Sequence, residues 1–175
     1  MRLKRILRFC APLAVLGLTV AATSADEATQ SFKAKVTGFQ EVTPKLSPGS
    51  GTFEATVTGS TLSYKLTYTK LSSPVFMAHI HFGQPAVNGG IFLWLCGSTI
   101  APGPAGTPTC PPNGGTVSRS GVTAGDIQGV SGQNLSAGDF MGALSILANG
   151  AAYVNLHTTL YQGGEIRGLV KQSDD

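Results

Sequence analysis

Apolar and polar residues alternate along much of the chain, and turn-forming residues separate the alternating stretches. Residues 52–58 and 62–68 both follow this two-residue period, with Gly59 and Ser60 between them. Two such stretches around a glycine-containing turn predict a β-hairpin. The residues expected to face the core of the protein from this hairpin are Phe53, Ala55, Val57, Leu62, Tyr64 and Leu66.

The rest of the chain shows the same kind of pattern. Further strands are predicted at 30–36, 75–82, 91–96, 152–159 and 165–170, with a short edge strand at 114–118. One helix is predicted at 137–148, where Ser136 and Asp139 form a capping signature. Many short strands with frequent turns are typical of a β-sandwich or barrel, so the fold is predicted to be all-β with one short helix in a connection. The 23 Gly and 10 Pro also argue against long helices.

Residues 1–25 have the features of a secretory signal peptide. Four basic residues and no acidic one precede an apolar stretch at 11–22, and Thr23-Ser24-Ala25 forms a small-residue cleavage site. The apolar stretch is too short to span a bilayer. Cleavage after Ala25 would leave 26–175 as a single domain that does not span the membrane, in a secreted or periplasmic protein.

The basic charge of the chain is concentrated in this leader. Removing its four basic residues from the 12 in the chain leaves 8, against 9 acidic residues. The remaining domain has no basic patch, so nucleic acid is not expected as a partner.

Two cysteines, Cys96 and Cys110, remain after the leader. In an oxidising compartment such a pair usually forms a disulfide, which is favoured here over two thiolate metal ligands. The bond would close the Pro- and Gly-rich loop 97–109.

The candidate chemistry lies on the predicted strands. The two-residue period places Phe76, Ala78, Ile80 and Phe82 on one face of 75–82, with His79 and His81 on the other. His157 likewise lies opposite Val154 and Leu156. All three histidines of the chain are therefore predicted on outward faces.

Two hypotheses follow for these histidines. If the strands are neighbours, His79, His81 and His157 converge on one ion, and three neutral imidazoles suit copper or zinc. Asn155, Glu165, Tyr153 and Arg167 are the candidates for positioning the rings. The alternative is a polar surface stripe whose histidines bond to Glu165, Asn155 or a loop backbone. Glu165 and Arg167 are expected to form a surface ion pair, and Trp94 is expected in the core.

Three sequence blocks carry a family resemblance. Ala78-His79-Ile80-His81-x-Gly83, Tyr153-Val154-Asn155-x-His157-Thr158 and Gly164-Glu165-Ile166-Arg167-Gly168 resemble the signature blocks of the CHRD (chordin-type) domain, and 32–42 is similar to its first block. The resemblance covers about 31–170. Two departures are that 97–113 is an insertion and that the family's usual proline after Glu41-Val42 is displaced to position 44.

The resemblance implies an immunoglobulin-like β-barrel similar to copper/zinc superoxide dismutase. That enzyme uses more histidines than the three found here, so its binuclear site is not expected. Three functions remain open. The first is an exported binding module with a three-histidine copper or zinc site. The second is a mononuclear copper redox enzyme, and the third a metal-free structural module that binds an extracytoplasmic protein or matrix partner.

Overall fold

A computed structural model describes residues 28–173 of the chain. The leader predicted at 1–25 and its cleavage site lie outside these residues. The elements are β1 (Thr29–Thr37), β2 (Ser50–Thr58), β3 (Thr61–Thr69), β4 (Val75–Phe82), β5 (Gly90–Cys96), β6 (Gly115–Val122), α1 (Phe140–Ala148), β7 (Ala152–Thr158), β8 (Ile166–Leu169) and β9 (Lys171–Ser173).

These strands form one antiparallel sheet. Its order is β5-β4-β7-β8-β1-β2-β3-β6, and β9 pairs with β1 beside β8. The sheet curls into a nearly closed barrel or sandwich with a single short helix among the described residues. The all-β prediction is therefore confirmed, although β9 was not anticipated.

The hairpin predicted from the alternating pattern is β2–β3. Phe53 pairs with Leu66 and Ala55 with Tyr64 across the two strands. All six residues predicted to face the core from this hairpin are buried. The period of two thus fixes both the pairing and the inward face of this side of the barrel.

The helix begins later than predicted. Its N-cap is Asp139, whose side chain accepts a hydrogen bond from the Gly142 amide at 2.8 Å. Gly138 has φ +80°, a left-handed conformation that cannot continue a right-handed helix. The predicted start at 137 with Ser136 at the cap is therefore wrong, because the chain turns at Gly138 first.

The predicted disulfide between Cys96 and Cys110 is present, with their Cα atoms 5.0 Å apart. It ties the end of β5 to the segment that precedes β6. The Cys110 amide also donates to the Gly97 carbonyl at 2.8 Å, and the Gly97 amide donates to Pro108 at 2.9 Å. The base of the loop 97–109 is therefore held by both covalent and backbone bonds.

Within residues 28–173, no helix has the combination of length and apolar character needed to cross a membrane.

Candidate metal centre

Strand pairing brings the three histidines together. β4 lies between β5 and β7, and within it His79 is paired with Trp94 on one side and Asn155 on the other. On the β7 side, His81 pairs with Tyr153 and Met77 pairs with His157. The histidines share the sheet face opposite the barrel core, as their alternation with buried apolar residues predicts.

The rings lie close to one another. Their centroids are 5.6 Å apart for His79 and His81, 5.1 Å for His79 and His157, and 6.2 Å for His81 and His157. One ring nitrogen from each lies within 4.8 Å of the other two. Ligand nitrogens around a trigonal ion stand ~3.5 Å apart for bonds of ~2.0 Å, so binding an ion would draw each nitrogen inward by up to about 1 Å.

The cluster is buried, so the alternative of a surface stripe is wrong in its exposure, although two histidines do bond to a loop backbone as it predicted. His79, His81 and His157 are 0, 8 and 6% exposed. Two connections contact this face of the sheet, the first loop (83–89) and the second loop (159–164). The strand pattern alone places the histidines outside the barrel, but it carries no information on which connections return over them.

Backbone carbonyls hold two of the imidazoles. His81 Nδ1 lies 3.0 Å from the Gly89 carbonyl oxygen, and His157 Nδ1 lies 2.8 Å from that of Gln162. A carbonyl oxygen only accepts, so each Nδ1 carries the hydrogen and donates. In the neutral ring the lone pair is then on Nε2, the atom that a metal ion binds.

Burial keeps the rings neutral. Desolvation, with the neighbouring histidines adding to it, lowers the pKa of His79 to about 2. Desolvation also lowers the pKa of His81 to about 4, although the bond to Gly89 opposes the shift, and it lowers the pKa of His157. All three imidazoles therefore offer lone pairs rather than positive charges near neutral pH.

Four of the imidazole nitrogens are buried with no hydrogen-bond partner. They are both nitrogens of His79 and the Nε2 atoms of His81 and His157. Buried polar atoms in folded proteins are nearly always bonded, and each exception costs free energy. One nitrogen from each ring converges with the other two, so a bound cation would satisfy three of these four atoms.

Arg167 and Tyr153 support the His81 side of the cluster. Tyr153 stacks on His81 with ring centroids 4.7 Å apart, and the Arg167 guanidinium lies 3.3 Å from the Tyr153 centroid. Arg167 also donates to Gln84 O at 3.1 Å, Val87 O at 2.6 Å and Asn88 Oδ1 at 3.1 Å. The side chain thereby fixes the first loop, and with it the Gly89 carbonyl that orients His81.

Glu165 does not pair with Arg167, so the predicted surface ion pair is wrong. Its carboxylate is buried and accepts hydrogen bonds from Ser47 Oγ at 2.6 Å, Ser72 N at 2.8 Å and Thr158 Oγ1 at 2.7 Å. These bonds lower its pKa against the opposing effect of desolvation, which is the largest single contribution. Glu165 therefore fastens loops together rather than orienting an imidazole.

Asn155 also forms its hydrogen bonds with groups other than the imidazoles. Its side-chain amide donates to Glu41 Oε1 at 2.6 Å and to the Ile166 carbonyl at 3.0 Å. Burial raises the pKa of Glu41, and the bond from Asn155 opposes the rise. Glu41 was not anticipated as a buried partner, because the pairing spans 114 residues of sequence.

Two aromatic residues that were predicted to lie in the core contact the histidine cluster instead. Trp94 meets His79 edge-on, with centroids 4.2 Å apart and an interplanar angle of 85°. Phe76 lies 6.4 Å from the His157 ring. A register shift between Val75 and Met77 interrupts the alternation there, so Phe76 reaches the histidine side of the sheet.

Replacing Arg167 is expected to loosen the first loop. Arg167→Met removes three hydrogen bonds, and Arg167→Lys keeps the charge but not the planar fork that reaches three oxygens. Both variants should lose about 2 kcal/mol of protection against local opening. The readout is hydrogen exchange at the Gly89 amide, which donates to Tyr153 Oη at 3.1 Å. Wild-type exchange in Arg167→Lys would mean that charge alone holds the loop.

Fold and site together define a class of protein, an all-β domain with a buried three-histidine cluster compatible with a metal ion. Residues 32–170 match the family model described as CHRD domain. The chain belongs to the CHRD domain family, as the sequence blocks predicted. Comparisons with curated proteins and with solved structures yield no match.

Proposed function

We propose that the chain is an exported binding module that holds one copper or zinc ion on His79, His81 and His157. The observation that carries the proposal is the set of four buried imidazole nitrogens without partners, on three rings whose donor atoms lie within 4.8 Å of one another. If the histidines were purely structural, these four nitrogens would lose their bonds to water and gain none in return.

The surroundings favour stable binding. The carbonyls of Gly89 and Gln162 set the orientation of two rings, so little ordering remains when an ion arrives. Trp94 packs against the His79 ring and Phe76 packs against the His157 ring, so apolar side chains border the cluster. Both copper and zinc accept neutral imidazole nitrogen, so these three donors fit either ion.

Export is supported by two independent features. The leader at 1–25 has the arrangement of a signal peptide, and the disulfide between Cys96 and Cys110 is of a kind that persists in oxidising compartments. A secreted or periplasmic location fits both.

Burial weighs against the two alternative functions. A redox enzyme needs an open coordination position that its substrate can reach, and the unpartnered nitrogens here have almost no exposed surface. A metal-free docking face needs accessible side chains, whereas the three histidines are at most 8% exposed. Binding an ion is the function that uses the buried nitrogens directly.

The test is a titration of the purified chain with Cu(II) and Zn(II) in air and with Cu(I) under nitrogen. Cys10 lies in the leader and its thiolate would bind copper, so all proteins carry Cys10→Ser. We expect one equivalent of at least one ion to bind with micromolar or tighter affinity. His81→Ala should abolish this binding.

Glu54→Gln is the matched control, because Glu54 is an exposed carboxylate on β2, away from the cluster. It should bind metal like the parent protein. Equal binding by His81→Ala and the parent would show that the histidines do not form the site. A superoxide-decay assay on the loaded protein checks the redox alternative.

A further inference from the structure

The donor set of the cluster consists of neutral groups only. No carboxylate or thiolate joins the three histidines among the described residues. Glu165 is bonded to Ser47, Ser72 and Thr158, and Glu41 is bonded to Asn155. An ion at this point would therefore keep its full charge without a compensating anion.

A fixed charge beside the cluster, the Arg167 guanidinium, has the wrong sign for a highly charged cation. The Arg167 guanidinium lies against one face of Tyr153, and Tyr153 stacks on His81. The cost of burying an ion rises with the square of its charge, so a divalent ion pays about four times the self-energy of a monovalent one. A buried site with neutral ligands and a cation nearby favours the lower charge.

The small number of available ligands also favours an ion of lower charge. The chain has only three histidines. Trp94, Tyr153 and Phe76 pack around the rings, and no further His, Cys, Asp or Glu side chain joins the cluster among the described residues. Zinc prefers four ligands and Cu(II) prefers a tetragonal arrangement, whereas Cu(I) is stable with fewer donors.

We infer that this cluster is selective for copper in its reduced, monovalent state over Cu(II) and Zn(II). The inference rests on the proposed function and narrows it. The chain would act as a holder of Cu(I) in an oxidising compartment, with the ion kept from water by the first and second loops.

The experiment measures dissociation constants for the Cys10→Ser chain with its disulfide intact. Cu(I) is titrated anaerobically against a chromophoric Cu(I) chelator, Zn(II) against a zinc chromophore, and Cu(II) against glycine. We expect Cu(I) to bind at least about 100-fold more tightly than either divalent ion. His79→Ala should lose the Cu(I) site.

The outcomes separate the two proposals. Zn(II) or Cu(II) binding within tenfold of Cu(I), and lost in His79→Ala, would overturn the selectivity while leaving the three-histidine site intact. Binding of no ion by the parent protein, or binding unchanged in His79→Ala, would overturn both.

A second variant tests the argument from coordination number and does not depend on deleting a ligand. Phe76 is partly buried, and its ring lies 6.4 Å from His157, a distance close to those between the histidines. Phe76→His adds a fourth imidazole and should raise Zn(II) affinity relative to Cu(I) by about tenfold or more. An unchanged ratio in the folded variant would contradict the argument.

Discussion

Lowering the pH from 6.5 to 4 should remove about 6 kcal/mol of the stability of the metal-free protein through His79 and His81 alone. Burial lowers the pKa of His79 to about 2 and that of His81 to about 4, from 6.5 in the unfolded chain. Between these values the unfolded state binds more protons than the folded state, so the free energy of unfolding falls as the pH falls. Each of the two histidines contributes about 3 kcal/mol to the loss.

A loss of that size is comparable to the whole stability of a typical domain, which is about 5 to 15 kcal/mol. Urea unfolding at a series of pH values measures it, on protein stripped of metal with a chelator. His79→Leu should lose about 3 kcal/mol less than the parent between pH 6.5 and 4. Glu41 and Glu165 titrate in both proteins, so their effects cancel in the difference. If the free energy of unfolding changes with pH in the same way in the two proteins, His79 is not a buried neutral imidazole.

His79→Leu should also stabilise the metal-free protein at neutral pH by about 1–3 kcal/mol, while it destroys the metal site. Both ring nitrogens of His79 are buried without partners, so the imidazole costs free energy that leucine does not. A residue kept only for structure would show the opposite result. Denaturant unfolding at pH 7.5, with and without added metal, gives both quantities.

The matched variant is His81→Leu. It removes the same kind of ring, but it also breaks the bond to the Gly89 carbonyl and leaves that oxygen without its donor. We expect His81→Leu to lower the stability of the metal-free protein by about 1–3 kcal/mol, opposite in sign to His79→Leu. Stability changes of the same sign in the two variants would show that the bond to Gly89 does not distinguish His81 from His79.

The parts of the structure that could be predicted from sequence are those governed by local periodicity. Alternation correctly placed Phe53 and Leu66 in the core, and it correctly placed His79 and His81 on the opposite face of β4 from Ile80. Side chains in a strand alternate whatever the rest of the chain does, so these inferences needed no knowledge of the topology.

The remaining features depend on which segments meet in space. Gly89 and Gln162 bond to histidines through their backbone carbonyls, and a backbone carbonyl leaves no trace in the residue type. The register shift near Phe76 also gives no signal in the alternating pattern. Sequence therefore identified the three candidate ligands and allowed a loop backbone as their partner, but it could not say which carbonyls. The side chains it proposed for support include Glu165 and Asn155, which are engaged elsewhere.

The barrel explains how three distant ligands reach one point without occupying the core. β4 and β7 are hydrogen-bonded neighbours, although about 70 residues separate them along the chain. The apolar residues of both strands fill the barrel, and the outer face is free to carry polar groups. Loops that return over this face then exclude water from it, which makes the imidazoles neutral and leaves their nitrogens unbonded.

The most direct measurement of the central claim is X-ray absorption spectroscopy on the Cys10→Ser chain loaded with one equivalent of its preferred ion. We expect a first coordination shell of three imidazole nitrogens, and a different or absent signal for His79→Leu. A shell made of carboxylate oxygen or sulfur, or an identical spectrum from His79→Leu, would show that the ion binds somewhere other than the three histidines.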